Sequence, residues 1–470
     1  MQPMRRIQRV HLVGIGGSGM SGIAEVLVNL DFQVSGSDLA DSGTIRHLKK
    51  MGATIYPSHS AENIQGADVL VVSSAVKEDN PEVMAARELR IPVVPRAEML
   101  AELMRFRRGI AIAGTHGKTT TTSLTASLLA EAGLDPTFVI GGLLNAWGSH
   151  ARLGAGEYLV AEADESDGSF LLLQPVLALV TNIDRDHLEN YDGSFENLKR
   201  AFVEFLHHLP FYGVAVVCVD DPQTAELLPD ITRAVVTYGL SEHADIRAVE
   251  VRQSGRMMHF RIRLPNDEHL HEVSLNLPGE HNVRNALGAI AVAWELGVDI
   301  PSVIASLASF EGIGRRFAEV GTFDLNDGEV VVVEDYGHHP SEIRATLSAA
   351  RNGWPEKRLV VVFQPHRFSR TQDLFDDFVH VLSEADCLVL TDIYPAGEAP
   401  VEGVDSRALC QSIRQRGKVD PVLIPDVAKI ARELPLILQA NDLVLLMGAG
   451  NIGHIAEQIR EQGFAHEEAA

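Results

Sequence analysis

A glycine-rich turn near the middle of the chain carries the residues best suited to chemistry. Its sequence, GTHGKTT, follows the apolar run 110–113 and precedes a predicted helix over 121–132. Backbone N–H groups of such a turn and the start of the helix attract phosphate, Lys118 adds a positive charge, and the Thr119 hydroxyl suits Mg²⁺. Ile112 stands where the usual P-loop has its first glycine, so the motif is a shortened P-loop. The alternative is a strand-to-helix turn with an incidental lysine. The predicted nucleotide-phosphate ligands are Gly114, Thr115, His116, Gly117, Lys118, Thr119 and Thr120.

Two further polar segments follow apolar runs of the same third of the chain, EADESD from Glu162 and TNIDRDH ending at His187. Parallel sheets bind ligands beyond the carboxyl ends of their strands, so both segments are expected near the phosphates. Glu162 can hold Mg²⁺ beside Thr119, and a neutral His187 can complete a second ion site or contact the transferring phosphoryl group. The other acids of these segments can equally be solvated loop charges or helix caps: Asp164, Glu165, Asp167, Asp184 and Asp186.

A third set lies further along the chain. His281 and Asn285 are one helical turn apart before a run of small residues, which suits contact with an adenine edge, although capping would also explain polar residues there. Arg315 and Arg316 stand at a predicted hinge, where a guanidinium can reach phosphate on domain closure or form only a surface salt bridge.

The last third gathers histidines, arginines, tyrosines and an acid at two predicted strand ends. Zinc is disfavoured, because the adjacent pair His338-His339 has neither helical spacing nor matching cysteines. Arginine with aspartate and tyrosine can instead hold an amino acid, its carboxylate on arginine and its ammonium on aspartate. The cluster comprises Asp335, Tyr336, His338, His339, His366, Arg367, Arg370 and Tyr394.

The first third contains the motif GIGGSG directly after the apolar run 10–13, and Asp38 follows 19 residues after its last glycine. This pattern is the dinucleotide-binding fingerprint, but its loop requires only a pyrophosphate, which a nucleotide-sugar also contains. The candidate residues are Gly16, Gly17, Ser18, Gly19 and Asp38.

Short β-branched runs alternate with helical stretches over all 470 residues, which predicts an α/β fold with three sheets in three domains. We place a Rossmann-like domain at 1–106, a P-loop domain at 107–316 and a second Rossmann-like domain at 317–470. Polar-interleaved strands between 244 and 277 predict a small antiparallel sheet within the middle domain.

Bulk composition excludes several classes of function. A net charge of −24 argues against nucleic-acid binding, and no apolar run is long enough for a membrane helix. The N-terminal segment lacks a signal-peptide core, and three scattered cysteines fit a reducing compartment, so we expect a cytoplasmic protein.

These motifs, in this order and over nearly the whole chain, resemble the Mur ligase family. The resemblance adds SSAVKEDNPE, which implies Ser73 and Ser74 as sugar-nucleotide ligands, and also GEHNVRNALGA, EGIGRRF, EDYGHHP and FQPHRFSRT. It is strongest to members that join L-alanine to the lactyl carboxylate of UDP-N-acetylmuramate with ATP and Mg²⁺, through an acyl phosphate, in peptidoglycan precursor synthesis. A monomer or weak homodimer is expected.

The resemblance implies roles residue by residue. Lys118, Glu162, His187 and Arg316 act on the phosphoryl group, with Thr119, Glu162 and His187 at the metal and His281 and Asn285 at adenine. It implies His339, Arg367 and Arg370 for alanine. Several siblings carry a carbamylated lysine where this chain has Phe202, and Lys199 is out of register, so a carbamate bridge is not expected.

Three alternatives stay open from the sequence. A murein-peptide recycling ligase would add a tripeptide to the same sugar nucleotide. An NAD-dependent dehydrogenase would use GIGGSG and leave GTHGKTT idle. A nucleotide-gated binding protein would bind ATP without forming a bond.

Overall fold

The computed structural model describes residue 4 and residues 6–73, 76–147, 149–325 and 328–464, with only the backbone of Ser18. Three β-sheets flanked by helices form the predicted α/β fold with three domains. By their internal contacts the residues divide into two compact units. One comprises Met1–Glu250, Phe260–Ser274 and Val283–Glu311, and the other Val251–His259, Leu275–Asn282 and Gly312–Ala470. The domain boundaries at 106/107 and 316/317 stay predictions.

The first sheet has five parallel strands in the order β3-β2-β1-β4-β5. The chain leaves β1 for neighbours on opposite sides, so the crevice of this Rossmann-like domain opens at the end of β1. The elements are β1 (Arg9–Val13), α1 (Ser18–Asn29), β2 (Gln33–Ser37), α2 (Gly43–Met51), β3 (Thr54–Tyr56), β4 (Val69–Val72), α3 (Pro81–Glu88), β5 (Val93–Pro95) and α4 (Arg96–Met104).

The second sheet has ten strands in the order β15-β14-β13-β12-β11-β10-β6-β9-β7-β8. The P-loop strand β6 therefore lies between β10 and β9, which places the segments after both strands beside the P-loop. The elements are β6 (Arg108–Ala113), α5 (Lys118–Glu131), β7 (Thr137–Leu144), β8 (Ser149–Arg152), β9 (Tyr158–Glu162), β10 (Leu177–Val180), α6 (Phe195–His207), β11 (Val214–Cys218), α7 (Pro222–Leu227), β12 (Ala234–Gly239), β13 (Ile246–Ser254), β14 (Met257–Arg263), β15 (His271–Leu275), α8 (Glu280–Glu295) and α9 (Ile300–Ser309).

Two details of the second sheet differ from expectation. The polar-interleaved strands β13, β14 and β15 continue the edge of the parallel sheet, because β13 pairs with β12 in parallel. The predicted helix start at Thr121 is wrong, since α5 begins at Lys118. The positive φ of Gly117 turns the chain directly into the helix, so Lys118, Thr119 and Thr120 form its first turn.

The third sheet has the order β16-β17-β21-β18-β19-β20, parallel except for the edge strand β16. Its central strands β21, β18 and β19 are nearly all apolar and buried, as strands covered on both faces require. The elements are β16 (Ala318–Leu325), β17 (Gly328–Asp335), α10 (Pro340–Gly353), β18 (Arg358–Phe363), α11 (Phe368–Asp373), α12 (Phe375–Leu382), β19 (Cys387–Leu390), α13 (Ser406–Gln415), β20 (Val422–Leu423), α14 (Ile430–Glu433), β21 (Asp442–Met447) and α15 (Ile452–Gln462).

Helix α1 packs closely on strands β7 and β8, which joins the first two sheets within one compact unit. A Cβ on Gly22 would lie 3.2 Å from side-chain atoms of both Ala151 and Val139. Ser149 also donates a hydrogen bond from Oγ to Glu25 Oε2 at 2.8 Å. The glycine-rich turn before α1 is thereby held near the ends of the central strands. Among the described helices, none combines the length and apolar character that crossing a bilayer requires.

Candidate functional site

The P-loop is shaped by two glycines that no other residue can replace without movement. Gly114 has φ +124°, and a Cβ there would lie 2.0 Å from Thr181 Oγ1. Gly117 has φ +83°, and a Cβ there would lie 2.4 Å from Asn285 Oδ1. Residues with a side chain rarely adopt either backbone conformation. The two glycines therefore allow Thr181, after β10, and Asn285, in α8, to lie close to the loop backbone.

The segment after β10 is hydrogen-bonded to the P-loop, as the strand order requires. Thr181 Oγ1 donates to the carbonyl of His116 at 2.7 Å, and Asn182 accepts from and donates to the backbone of His116 at 2.9 Å each. Asp184 donates its N–H to Thr115 Oγ1 at 2.9 Å, and its carboxylate lies 3.0 Å from His116 Nε2. Thr115 and His116 therefore fix the loop between two strand ends.

Lys118 is held inside the loop by three acceptors. Its Nζ donates to the carbonyls of Gly114 at 2.7 Å and Thr115 at 3.1 Å, and to Glu165 Oε2 at 2.7 Å. The view of Glu165 as a solvated loop charge or helix cap is wrong, because its side chain is only 2 % exposed and pairs with Lys118. The sequence gives one signal for this pairing, which is that the EADESD segment follows a strand adjacent to the P-loop strand.

The charges around Lys118 shift each other's titration. Burial raises the pKa of Glu165 to about 7, against the lowering effect of the Lys118 ammonium. Burial opposes the charge of Lys118, but Glu165 and Asp164 outweigh it and raise the pKa of Lys118. Burial also opposes the charge of Asp164, yet Lys118 and its hydrogen bonds lower the pKa of Asp164. The site therefore has a lysine that stays charged and a carboxyl that titrates near neutral pH.

The predicted metal ligands lie at the same edge of the sheet. Glu162 ends β9 in register with Ile112 of the P-loop strand, and its Oε1 accepts the N–H of Gly141 at 2.7 Å. Thr119 is in the first turn of α5. A carboxylate and a hydroxyl are the oxygen donors that Mg²⁺ prefers, so these two residues fit the ion.

His187 follows β10 with a left-handed backbone, φ +56°. Its Nε2 lies 3.4 Å from Asp186, and its Nδ1 lies 3.8 Å from Glu189. The ring therefore lies beside two carboxylates at the edge of the sheet that also carries Glu162. Its place at the metal stays a prediction.

The predicted adenine residues both fall in α8, one turn apart. Asn285 is 7 % exposed, and its Oδ1 accepts a hydrogen bond from Thr121 Oγ1 at 3.3 Å. Asn285 therefore packs against the start of α5, beside the P-loop. His281 lies at the beginning of α8, where a Cβ on Gly279 would meet its ring at 2.5 Å. The role of either side chain at adenine stays a prediction.

The glycine-rich turn after β1 also depends on long-range contacts. Gly14 has φ +75°, and Gly17 is the N-cap of α1, which begins at Ser18. The N–H of Gly16 donates to Asp38 Oδ2 at 2.8 Å, and Asp38 Oδ1 accepts the N–H of Ala40 at 2.9 Å. Asp38 thus holds the turn, in addition to any contact with ligand.

A cavity of about 260 Å³ joins this turn to the central sheet. Ser73 lies in its wall, whereas Ser74 lies outside the described residues. Glu162 also lines it, so one cavity includes residues predicted for the sugar nucleotide and a residue predicted for the metal. Its walls are Gly17, Gly19, Met20, Ser73, Arg96, Leu100, Val139, Ile140, Gly141, Glu162 and Asp164.

The third sheet places the predicted alanine residues at two neighbouring regions. His339 is buried as the N-cap of α10, where its Nδ1 accepts the N–H of Ser341 at 3.3 Å. Arg367 and Arg370 begin α11, one half-exposed and one buried. The Arg367 backbone has φ +71° and donates its N–H to the carbonyl of Tyr394 at 2.8 Å. Tyr394 in turn stacks on His366 with ring centres 5.5 Å apart.

Two histidines of this region, His338 and His366, favour the neutral form. Burial, together with the charge of Arg370, lowers the pKa of His338 to about 3 and that of His366 to about 4. Asp335 accepts the N–H groups of Phe317 and Gly337 at 2.8 Å each, so its carboxylate anchors the backbone there. Positive charge at this strand end therefore comes from the arginines.

The two arginines of the predicted hinge differ in their surroundings. Arg315 donates to Glu334 at 2.8 Å and to the carbonyl of Gly448 at 2.7 Å, which ties it to the third sheet. The guanidinium of Arg316 lies 5.1 Å from the ring centre of Tyr336 and 3.9 Å from Glu342. The contacts of Arg316 are thus longer than the hydrogen bonds of Arg315, which is compatible with the predicted role of Arg316 at phosphate.

Phe202 is fully buried in α6, with its ring 5.2 Å from that of Phe170. Lys199 instead pairs with Glu196 and Glu226. The position that the resemblance matches to the siblings' carbamylated lysine is therefore a hydrophobic core position in this chain.

Comparison with known proteins agrees with this architecture. Three sequence families match successive parts of the chain: the Mur ligase family catalytic domain at residues 9–108, the Mur ligase middle domain at 112–293, and the Mur ligase glutamate ligase domain at 315–450. Together they span most of the sequence. The chain belongs to the Mur ligase family, and it is an ATP-dependent ligase of peptidoglycan precursors.

Solved structures of several family members are similar to it. The UDP-N-acetylmuramate-alanine ligase MurC from Thermotoga maritima is 29% identical, with 97% of this chain and 98% of that chain covered and a TM-score of 0.81. A murein peptide ligase from Psychrobacter arcticus is 24% identical, with 98% and 100% covered and a TM-score of 0.72. MurF from Acinetobacter baumannii, at 18% identity and a TM-score of 0.63 over 97% and 93%, shares the fold.

Proposed function

We propose that this protein joins L-alanine to the lactyl carboxylate of UDP-N-acetylmuramate, with ATP converted to ADP and phosphate. The observation that carries the proposal is the cavity that runs from the glycine-rich turn of the first sheet to Glu162 beside the P-loop. A nucleotide-sugar gripped by the turn at Gly17 would extend its acyl group toward the nucleotide. The likeness to the alanine ligase over nearly the whole chain supports the same substrate.

The reaction has two steps. A lactyl carboxylate oxygen attacks the γ-phosphorus of ATP, ADP leaves, and an acyl phosphate forms. The amine of alanine then attacks the acyl carbon, the bond to the phosphate oxygen breaks, and phosphate leaves. Catalysis of such transfers is mostly positioning and charge stabilisation, so Lys118 and Arg316 would offset the charge of the phosphoryl group.

Magnesium would be held by Thr119 and Glu162, with His187 nearby, and supplies neutralisation of phosphate charge when bound. On the protein side, Lys118 would position the transferring group by exchanging its ion pair with Glu165 for a phosphate oxygen. Asn285 and His281 would contact adenine. For alanine, Arg367 and Arg370 would bind the carboxylate, and His339 would lie beside them.

The test offers the purified protein ATP, Mg²⁺ and UDP-N-acetylmuramate with alanine, serine, glycine or the murein tripeptide in separate reactions. Phosphate release and product mass are recorded. We expect both with alanine. A product with the tripeptide alone would identify a recycling ligase, and ATP binding without ADP release would leave only a binding protein. A nicotinamide absorbance change in the absence of ATP would identify a dehydrogenase.

A further inference from the structure

The cavity described above contains one cationic side chain among its described lining residues, and that residue has no role so far. Two carboxylates, Glu162 and Asp164, line the same cavity, and Asp164 lies 3.5 Å from Arg96. Arg96 is the first residue of α4, beside the first sheet, whereas Glu162 ends strand β9 of the second sheet and Asp164 follows that strand. An arginine is therefore placed where the glycine-rich turn and the phosphoryl-transfer site meet.

Gly19 makes room for this arginine. A Cβ at Gly19 would lie 2.8 Å from a terminal nitrogen of Arg96 and 3.2 Å from its Cδ. The guanidinium thus lies directly against the first turn of α1. Gly19, the last glycine of the dinucleotide-like motif, thus leaves the space that the Arg96 side chain occupies.

The hydrogen-bonding capacity of Arg96 is largely unused within the described chain. Its one polar partner there is Asp164, at 3.5 Å, which is longer than the roughly 2.7–2.9 Å of a charge-assisted hydrogen bond. The side chain is 22 % exposed, and a guanidinium carries five N–H donors. An arginine in a cavity with a weak partner and spare donors is suited to a bidentate anion such as phosphate or carboxylate.

We propose that Arg96 binds an anionic group of the sugar nucleotide inside this cavity, with Asp164 as the partner that holds the guanidinium before the ligand arrives. The anion is either a phosphate oxygen pair of the diphosphate or the lactyl carboxylate. The inference rests on the proposed function, because it takes that function's sugar nucleotide as the ligand.

Direct binding tests the proposal without turnover. Titration calorimetry measures the affinity of UDP-N-acetylmuramate and of UDP-N-acetylglucosamine, which lacks the carboxylate, for wild type and Arg96→Gln. We expect about a tenfold or greater loss for UDP-N-acetylmuramate, as for removal of one charged hydrogen-bonding partner. Equal loss for both ligands assigns the diphosphate, and loss for UDP-N-acetylmuramate alone assigns the carboxylate. Affinities within about twofold of wild type for both would overturn the inference.

Further variants separate binding from a structural role. Arg96→Lys keeps the charge without the planar fork and should recover only part of the affinity. Asp164→Asn removes a competing anion, so it should bind UDP-N-acetylmuramate at least as tightly as wild type. If Asp164→Asn instead weakened binding as much as Arg96→Gln, the Arg96–Asp164 ion pair would have a structural role only. The proposal would then fail. Arg87→Gln, which loses only an exposed ion pair with Glu78, is the matched control.

The two proposals fail in different ways. Wild type that binds UDP-N-acetylmuramate but forms no amide with alanine would defeat the proposed function and leave the role of Arg96 intact. Normal amide formation together with unchanged binding by Arg96→Gln would defeat only the inference about Arg96. Wild type that binds no sugar nucleotide would defeat both.

Discussion

At the scale of single residues, the positive charge of Lys118 is already compensated by the protein before a ligand binds. Lys118 has an acceptor in Glu165 and two in the loop backbone, so the buried ammonium is compensated. A triphosphate that binds here as proposed would have to provide oxygens that replace the carboxylate of Glu165. The affinity for nucleotide would then depend on the difference in free energy between the Lys118–phosphate pair and the Lys118–Glu165 pair.

Lys118→Ala should abolish product formation and leave binding of UDP-N-acetylmuramate nearly intact. The variant loses the charge that stabilises the phosphoryl group, while the glycine-rich turn of the first sheet is unchanged. Product mass and calorimetric binding of the sugar nucleotide measure the two effects, with Lys50→Ala at the exposed end of α2 as control. Near-normal turnover by Lys118→Ala would refute the assignment of the P-loop.

Glu165→Gln should change how stability depends on pH. Burial raises the pKa of Glu165 from 4.5 to about 7, so between these values the folded protein holds a proton that the unfolded chain has released. The contribution of Glu165 to the free energy of unfolding therefore falls as pH rises from about 4.5 to 7. The difference in free energy of unfolding between Glu165→Gln and wild type should therefore shift in favour of the variant as pH rises. Urea unfolding at pH 5 and pH 8 measures this difference. A difference independent of pH would contradict the raised pKa.

At the scale of elements, the site depends on close approach of turns and strands. The P-loop strand lies between β10 and β9, so strand order alone brings both polar segments beside the P-loop. The turn itself leaves no room for side chains at Gly114, where β10 approaches. Helix α5 then begins at Lys118, which places the lysine and two hydroxyls in its first turn.

Gly114→Ala should abolish ATP binding, because the added Cβ meets Thr181 Oγ1 at 2.0 Å and the backbone has φ +124°. Gly133→Ala, at the other end of α5, is the matched control, since its φ is +76° but nothing lies within 4 Å. The control should cost about 1 kcal/mol in stability and leave binding unchanged. Calorimetry with an ATP analogue and urea unfolding measure both. If Gly114→Ala and Gly133→Ala reduced ATP binding equally, backbone strain would explain the loss without the contact to Thr181.

At the scale of the whole molecule, charge sets which partners are possible. The chain carries a net charge of −24, yet each proposed anion site places a few cations or helix starts together: Lys118 with α5, and Arg96 beside α1. Local focusing of this kind can bind small anions that the protein as a whole repels.

We therefore expect no appreciable affinity for nucleic acid. Fluorescence anisotropy with a 20-nucleotide duplex at about 50 mM salt should give a dissociation constant weaker than about 10⁻⁴ M, since counterion release needs clustered Lys and Arg. The same preparation should bind UDP-N-acetylmuramate, which serves as the positive control. Micromolar binding of the duplex would show a basic surface that the net charge conceals.

The local motifs were enough to predict the α/β class, the three sheets and the residues at the ends of β1, β6, β9 and β10. Periodicity, glycine spacing and polar residues after apolar runs are properties of neighbouring residues, so they can be read along the chain. Glu162, for example, ends β9 and lines the cavity. The resemblance to a known family then added the chemistry.

Only the tertiary structure decided which charges meet. Glu165 is 47 residues from Lys118 and Arg96 is 68 from Asp164, and nothing in their local sequence distinguishes a buried partner from a solvated acid. Asp38 and Asn285 hold glycine turns that are far from them along the chain. The reason is physical: an ion pair or a close approach depends on strand order and helix packing, which bring together residues that local preferences treat independently.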